Sequence, residues 1–368
     1  MSNELLLKKI EIKSRDMDRL SEYRRGLLSN PRLTYLFVEL TEQCNLNCLH
    51  CGSSCNQSKK QYIDTKLLLD AIRKLANDCN PKGVMVCLTG GEPLLHPDFF
   101  LIVKEIVDLG FSWGMTTNGT LIDRDMAVKL KTYNLKSVTI SIDGLKESHE
   151  WLRRVDNCFE ASMEAVSFLN EAGILVQITT VVHKKNISEL DDMYKLMCGL
   201  NIASWRVINL EPIGRANESK DLLLSKEEII YLLDFIKNKR YDNSCPMDVR
   251  FGCSHYLSYE YEHEVRDNYF ICGSGIYVGS ILCNGDIYSC LDIERRKELV
   301  QGNIKTDRFY DVWINRFKEF RADRAKLSEK CSKCSERSFC NGDAAHTWDY
   351  DNNEPLLCVK CLLTEGNN

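Results

Sequence analysis

This 368-residue sequence predicts an α/β fold: six βα units forming a parallel sheet, closed or partly closed as a barrel, with a smaller α+β region behind it. Three observations carry the prediction. Short β-rich runs alternate with amphipathic helical runs from Tyr35 to Lys239, no repeat or low-complexity linker interrupts them, and beyond residue 240 the chain turns rich in Tyr, Cys and Gly. The length exceeds one comfortable core, so a large domain plus a small one is expected. The divisions are an amphipathic arm over 1–33, a barrel over 34–245 and a cysteine-bearing domain over 246–368.

YLFVEL (35–40) reads as the first strand and leads into a cysteine loop. DTKLLLDAIRKLAND (64–78) carries apolar residues at helical spacing. GVMVCLTG (83–90) is a strand, and FFLIVKEIVDLG (99–110) a helix closed by glycine. FSWGMTTNG gives a strand and turn, RDMAVKLKTY a helix, SVTISIDG (137–144) a strand, and CFEASMEAVSFLNEAG a second glycine-ended helix. ILVQITTVV (174–182), SELDDMYKLMCGL and SWRVINLEP (204–212) continue the alternation, with a last helix over 226–239. Further on, GSILCNGDIYSC sets an Asn-Gly turn between two strands, a hairpin signal, and RFYDVWINRFKEFRA reads as one helix.

The net charge of −5 leaves no basic footprint for nucleic acid or an anionic membrane surface. Apolar stretches such as Ile174–Val182 are too short to span a bilayer, and the N-terminus lacks the apolar core of a secretory signal. A cytoplasmic location with reduced thiols is therefore expected. In that compartment eighteen cysteines point to metal or redox chemistry rather than disulfides. Cys79, Cys87, Cys158 and Cys198 are scattered in apolar or helical contexts and read as small buried hydrophobes. Apart from Cys245 and Cys253, the others crowd into two regions, 44–55 and 272–361.

CNLNCLHC spaces Cys44, Cys48 and Cys51 as C-x3-C-x2-C, on a loop directly after a strand. Structural zinc takes four protein ligands, usually from C-x2-C pairs. Three thiolates instead suit a cubane iron–sulfur cluster whose fourth iron stays open to chelate a small molecule. Cys55 falls outside the spacing and reads as a nearby free thiol.

This motif resembles the signature of radical S-adenosylmethionine (SAM) enzymes, with His50 where that family usually has an aromatic. TGGEP (89–93) is similar to the family's GGEP segment, which implies that Gly90, Gly91, Glu92 and Pro93 hold the methionine end of SAM. TTNG (116–119) resembles the ribose-contacting segment, implying Thr117 and Asn118; SIDG (141–144) implies Ser141 and Asp143. Arg153 or Arg154 would meet the methionine carboxylate, Arg154 being the expected contact. The resemblance covers about 35–215 and implies a partial (β/α)6 TIM-like barrel, reductive cleavage of SAM and abstraction of hydrogen from a substrate C–H bond. No side-chain acid or base is evident, so no catalytic residue is named.

The second crowd reads Cys272-x12-Gly285-x4-Cys290, then CSKCSERSFC with Cys331, Cys334 and Cys340, then CVKC with Cys358 and Cys361. On spacing alone, a zinc ribbon from Cys331, Cys334, Cys358 and Cys361 competes evenly with iron–sulfur ligation. The whole pattern resembles the SPASM extension of radical SAM enzymes, which implies two auxiliary clusters and three [4Fe-4S] clusters in all. Ala344 stands where that family has a further cysteine, so the auxiliary cluster nearer the barrel would recruit Cys283, Cys361 or Asp343, or keep an open iron. His346 and Trp348 read as a packed loop.

The resemblance implies a maturase of ribosomally made peptides that forms a thioether or C–C cross-link, or epimerises a residue. The expected partners are a precursor peptide and an external flavodoxin- or ferredoxin-type electron donor. The first 33 residues cannot form a leader-recognition domain, so leader binding would fall to the barrel groove or to a separate protein. The alternative is an enzyme acting on a haem- or quinone-cofactor precursor, or a protein-maturing oxidase of the sulfatase-maturase type.

Overall fold

The computed structural model describes residues 18–364 apart from 243, 245, 246 and 253. Its centre is one ten-stranded sheet. Strands β1 (Tyr35–Glu39), β2 (Met85–Thr89), β3 (Ser112–Thr117), β4 (Ser137–Ser141), β5 (Leu175–Val182) and β6 (Ser204–Asn209) pair in parallel, each with the next. Helices cover the sheet's outer face: α2 (Thr65–Asp78), α3 (Phe99–Asp108), α4 (Arg124–Thr132), α5 (Lys146–Arg153), α6 (Cys158–Glu171), α7 (Leu190–Cys198) and α8 (Lys226–Arg240), after an N-terminal α1 (18–29). Local chemistry sets their starts. Asp64 and Asp123 accept the Leu67 and Met126 amides, and Ser225 with Glu228 forms a capping box on α8.

Two features go beyond six βα units. β7 (Asp248–Phe251), only four residues long, extends the parallel sheet beside β6, just past the 245/246 division expected from the sequence. At the other edge β8 (Val278–Ile281) pairs in parallel with β1, and β9 (Asp286–Tyr288) and β10 (Gly302–Asn303) add antiparallel strands. The Asn-Gly hairpin is present, with Gly285 at φ +90°, but it prolongs the barrel sheet instead of starting a separate one. β7 and β10 are the edges of the sheet and the parallel run from β8 to β7 does not close on itself, so the barrel is partial. The helix expected over RFYDVWINRFKEFRA breaks into Phe309–Asn315 and Lys318–Arg321, because Phe317 turns in to full burial between them.

Alternation along the strands separates two faces. Val86, Leu88, Trp113, Val138, Ile140, Ile178, Trp205, Val207 and Val249 are buried under the helices in one core. The opposite face lines the barrel lumen, where Thr116, Thr139, Ser141, Gln177, Thr179, Arg206 and Arg250 are half-buried beside Phe37, Cys87, Val181 and Ile208.

The arm is not separate from the rest. Leu20 of α1 packs against Tyr256, Phe270 and Ala344 in the second cysteine region, and residues 1–17 lie outside the described residues.

Candidate cluster sites at the barrel mouth and beside it

The loop after β1 brings Cys44, Cys48 and Cys51 together with Leu46, Cys55 and Cys158. Leu46 N–H donates to Cys44 Sγ at 3.4 Å. The loop is held from the far side of the barrel. Arg215, beyond β6, donates Nε to Cys48 O (2.7 Å) and Nη1 to Cys55 O (2.8 Å), and its amide to Cys51 O (3.1 Å). Gly214 is needed for this approach: φ is +54°, and a Cβ there would lie 2.3 Å from Gly52 O. Burial pushes the Cys44 and Cys48 thiols up to about 12 and about 11. Cys51 falls to about 6, through the Cys55 thiol first and, against burial, the Arg215 charge. Cys158, read as a plain core residue, therefore belongs to the site's wall, and its burial raises it to about 11.

The Gly-Gly-Glu-Pro turn after β2 clasps the same loop. Gly91 N–H donates to Thr41 O (2.7 Å) and Glu92 N–H to Gln43 O (2.9 Å). A Cβ on Gly90 or Gly91 would lie 2.4 Å from Thr41 O or 2.2 Å from Gln43 O, so glycine is required at both. Pro93 opens a short 3-10 turn. The fully buried Glu92 carboxylate accepts from the Thr117 hydroxyl (2.8 Å) and the Asn118 amide (3.0 Å), and burial still raises it to about 7. Asn118 Nδ2 donates to Asn45 Oδ1 at 2.8 Å, and its amide group reaches Cys44 Sγ at 3.9 Å. Residues expected to touch one cofactor thus also tie β2, β3 and the cysteine loop to one another.

Ser141 ends β4 half-buried on the lumen side. Asp143 is buried in an ion pair with Arg153 (2.6 Å) and accepts from the Val181 amide (2.9 Å). Burial would raise Asp143, but Arg153 and His50 hold it well below the usual carboxylate range. His50 Nε2 lies 3.4 Å from Asp143, and burial lowers that imidazole to about 4, so it is neutral. The arginine pair resolves plainly. Arg153 is buried and charge-coupled to Cys48 and Asp143, whereas Arg154 adopts φ +60° at the end of α5 with an exposed side chain. Of the two candidates, Arg153 thus faces the site and Arg154 faces solvent.

In the second region Cys331, Cys334, Cys340, Cys358 and Cys361 line one cavity of about 240 Å³. Cys358 and Cys361 approach to 3.0 Å between sulfurs. Cys272 packs instead against the group containing Ala344 and Cys340, and accepts from Ala345 N–H at 3.3 Å. Burial would raise Cys272, but Arg324, the Ala345 amide and Ser274 bring it below its ordinary value. Cys290 follows β9, with Asp292 3.9 Å from its sulfur. The three candidate substitutes for the missing cysteine have different surroundings. Cys283 is buried beside Glu39 and Glu42, Cys361 belongs to the five-cysteine cavity, and Asp343 binds His255 Nδ1 and the Tyr256 amide, both at 2.8 Å. Asp343 meets Cys340 through its backbone, its N–H reaching Sγ at 3.1 Å.

Four residues that hold these sites carry no local signature. Arg24 of α1 is buried and donates to Phe270 O (3.2 Å), Ser338 O (3.4 Å) and Phe339 O. Arg215 does the corresponding work on the first loop. Glu211, just past β6, meets His346 (3.1 Å) and His255 (3.4 Å), so His346 joins the second region to the barrel mouth. Only long-range packing brings such partners together.

The donor sets fit iron–sulfur clusters. Three thiols gather at the barrel mouth, where His50 Nδ1 and Arg215 Nη2 are buried with no hydrogen-bond partner among the described residues. Five more thiols surround the second cavity. A partial α/β barrel with this mouth, and a cysteine-rich extension on its edge, defines an iron–sulfur protein with two cluster-binding regions. Residues 38–197 match the Radical SAM superfamily, and residues 272–335 match SPASM, an iron-sulfur cluster-binding domain. The chain carries a radical SAM domain and a SPASM domain, which support SAM and iron–sulfur clusters as cofactors.

It is 28% identical to an AdoMet-dependent heme synthase of Oleidesulfovibrio alaskensis, over 85% of this chain and 83% of that one. It is 27% identical to the mycofactocin maturase MftC of Mycobacterium tuberculosis, over 88% and 80% of the two chains. Streptococcus suis SuiB bound to its precursor peptide SuiA shares the fold, with TM-score 0.68, 18% identity, and coverage of 93% of this chain and 77% of that one. Among the described residues no helix is long and apolar enough to cross a membrane.

Proposed function

We propose that this chain is a radical SAM maturase that forms a thioether or C–C cross-link, or an epimerised residue, in a precursor peptide. The observation that carries the radical chemistry is the joining of the three loop thiols to the Gly90–Gly91 turn by backbone hydrogen bonds at the barrel mouth. A cluster and SAM bound there supply hydrogen abstraction from an unactivated C–H bond. The chain's own residues fix geometry: Arg215 holds the loop, Gly90 and Gly91 permit the close approach, and Arg153 keeps Asp143 ionised. The SuiB likeness and the MftC relative support a peptide as substrate.

One auxiliary cluster is assigned to Cys331, Cys334 and Cys340, with Cys358 or Cys361 as fourth ligand. A second, giving three in all, rests on Cys272 and Cys290, with Cys283, Cys361 or Asp343 completing the set or one iron left open. An external flavodoxin- or ferredoxin-type protein supplies electrons, and the leader is read in the barrel groove or by a separate protein.

A second reading has its own support: the heme synthase relative matches over most of both chains, which favours a tetrapyrrole substrate. Anaerobically reconstituted protein with SAM and dithionite tests both. Formation of 5′-deoxyadenosine with a mass change in a peptide encoded beside the gene supports the maturase. A mass change only in coproporphyrin III moves the assignment to the tetrapyrrole, and no 5′-deoxyadenosine with either sinks the radical reading.

A further inference from the structure

The lumen face of the barrel holds two arginines side by side. Arg206 of β6 and Arg250 of β7 are register partners on adjacent parallel strands. Their neighbours Trp205, Val207, Val249 and Phe251 are buried in the outer core, and Trp205 packs on Phe235 of α8. Strand alternation therefore turns both guanidinium groups to the lumen.

The height of the pair follows from the same register. Ser141, at the C-terminal end of β4, is the partner of Thr179, and Thr179 of Arg206. The arginines thus lie on the lumen wall two strands from Ser141, below the C-terminal end of β6. Arg206 is also close enough to act electrostatically on Cys87 of β2. Gly252 leaves the space these side chains use: a Cβ there would lie 2.1 Å from Ile208 and 3.5 Å from the Arg206 stem.

The pair is short of counter-charge. Among the described residues Arg206 donates, through Nε (3.1 Å) and Nη2 (2.9 Å), to the neutral Thr179 hydroxyl. Arg250 meets Asp248 and the Ser204 hydroxyl, each at 3.4 Å, while Arg240, also 3.4 Å from Asp248, is answered by Asp267 at 2.6 Å; the two lumen arginines thus have one carboxylate between them. Glu39 and Glu42 are occupied by Arg295, and Glu211 by two histidines. A half-buried arginine pair with one carboxylate at 3.4 Å and two hydroxyls is a fork for an anionic group.

We infer that Arg206, Arg250 and Thr179 form a substrate-binding clamp for a carboxylate on the lumen wall of the barrel. This deepens the radical reading above and rests on it: the substrate carries a carboxylate that anchors it while a C–H bond faces the mouth. A peptide carboxylate and a tetrapyrrole propionate offer the same chemistry.

The test is equilibrium binding to the reconstituted full chain in the presence of SAM, which does not depend on turnover. Four probes are titrated: coproporphyrin III and its tetramethyl ester, and acetyl-Glu-Glu-Glu and the amidated acetyl-Gln-Gln-Gln. The clamp requires one acid to bind at least about tenfold tighter than its neutral counterpart, as charge-assisted pairing implies. The acid that does so identifies the source. Arg206→Gln and Arg250→Gln should each remove that acid–neutral difference, and Arg206→Lys should keep part of it. Equal binding of acid and neutral forms by the wild type, or binding of neither acid, overturns the proposal, as does parallel loss of SAM binding in both glutamine variants. Because 5′-deoxyadenosine formation is measured separately, failure of the clamp and failure of the radical reading are distinguishable.

Discussion

The two cysteine regions solve one problem by different means. The first draws Cys44, Cys48 and Cys51 from eight consecutive residues on one strand-end loop and needs the rest of the chain only to hold that loop still. The second gathers Cys331, Cys334, Cys340, Cys358 and Cys361 from short segments that have little structure of their own. Each is pinned by a remote arginine that donates to loop carbonyls, Arg215 for the first and Arg24 for the second. Local spacing can preset a site, but only packing can collect one from scattered segments. The second should therefore depend more on α1 and on the barrel contact than the first does.

Removing the thiols tests the separation most severely. Cys44→Ala with Cys48→Ala and Cys51→Ala should abolish 5′-deoxyadenosine formation while the auxiliary iron, measured per chain, stays bound. Iron lost from both regions together would show that they form one unit.

The two arginines allow a reciprocal comparison. Arg215→Met leaves the Cys48 and Cys55 carbonyls without their charged donor, at a cost of about 2–3 kcal/mol in loop stability. Cluster iron at the barrel mouth and SAM cleavage should fall together. Arg24→Met should instead lower auxiliary iron and leave SAM cleavage in place. If both variants lose the same cluster, the assignment of one clamp to each region fails.

A smaller effect is expected from acid. Burial would raise Glu211, yet His346 and His255 hold it at about 2, below its ordinary 4.5. A carboxylate depressed on folding contributes stability that is complete above pH 4.5 and lost as pH falls towards 2. The unfolding midpoint of the apoprotein should drop over that window, and Glu211→Gln should flatten the drop. An unchanged slope would remove Glu211 as the tie between the second region and the barrel. The smallest change is Cys55→Ala, which should leave SAM cleavage largely intact because Cys55 lies outside the C-x3-C-x2-C spacing; loss of cluster iron in that variant would make it a ligand.

The sequence by itself determined the parallel α/β alternation, the C-x3-C-x2-C loop and the Gly-Gly-Glu-Pro turn. Periodicity, caps and glycine requirements act over a few residues and leave local marks, as Asp64, Asp123 and Gly91 show. Tertiary structure alone decided that β7 and β8 extend the sheet, that Arg153 rather than Arg154 turns inward, and that Asp343 spends its carboxylate on His255 and Tyr256. It also placed Arg24, Arg215, Glu211 and the Arg206–Arg250 pair. The physical reason is range: a buried charge is stabilised by whichever partner the fold delivers, and those partners lie tens to hundreds of residues away, where local sequence spacing carries no trace of them.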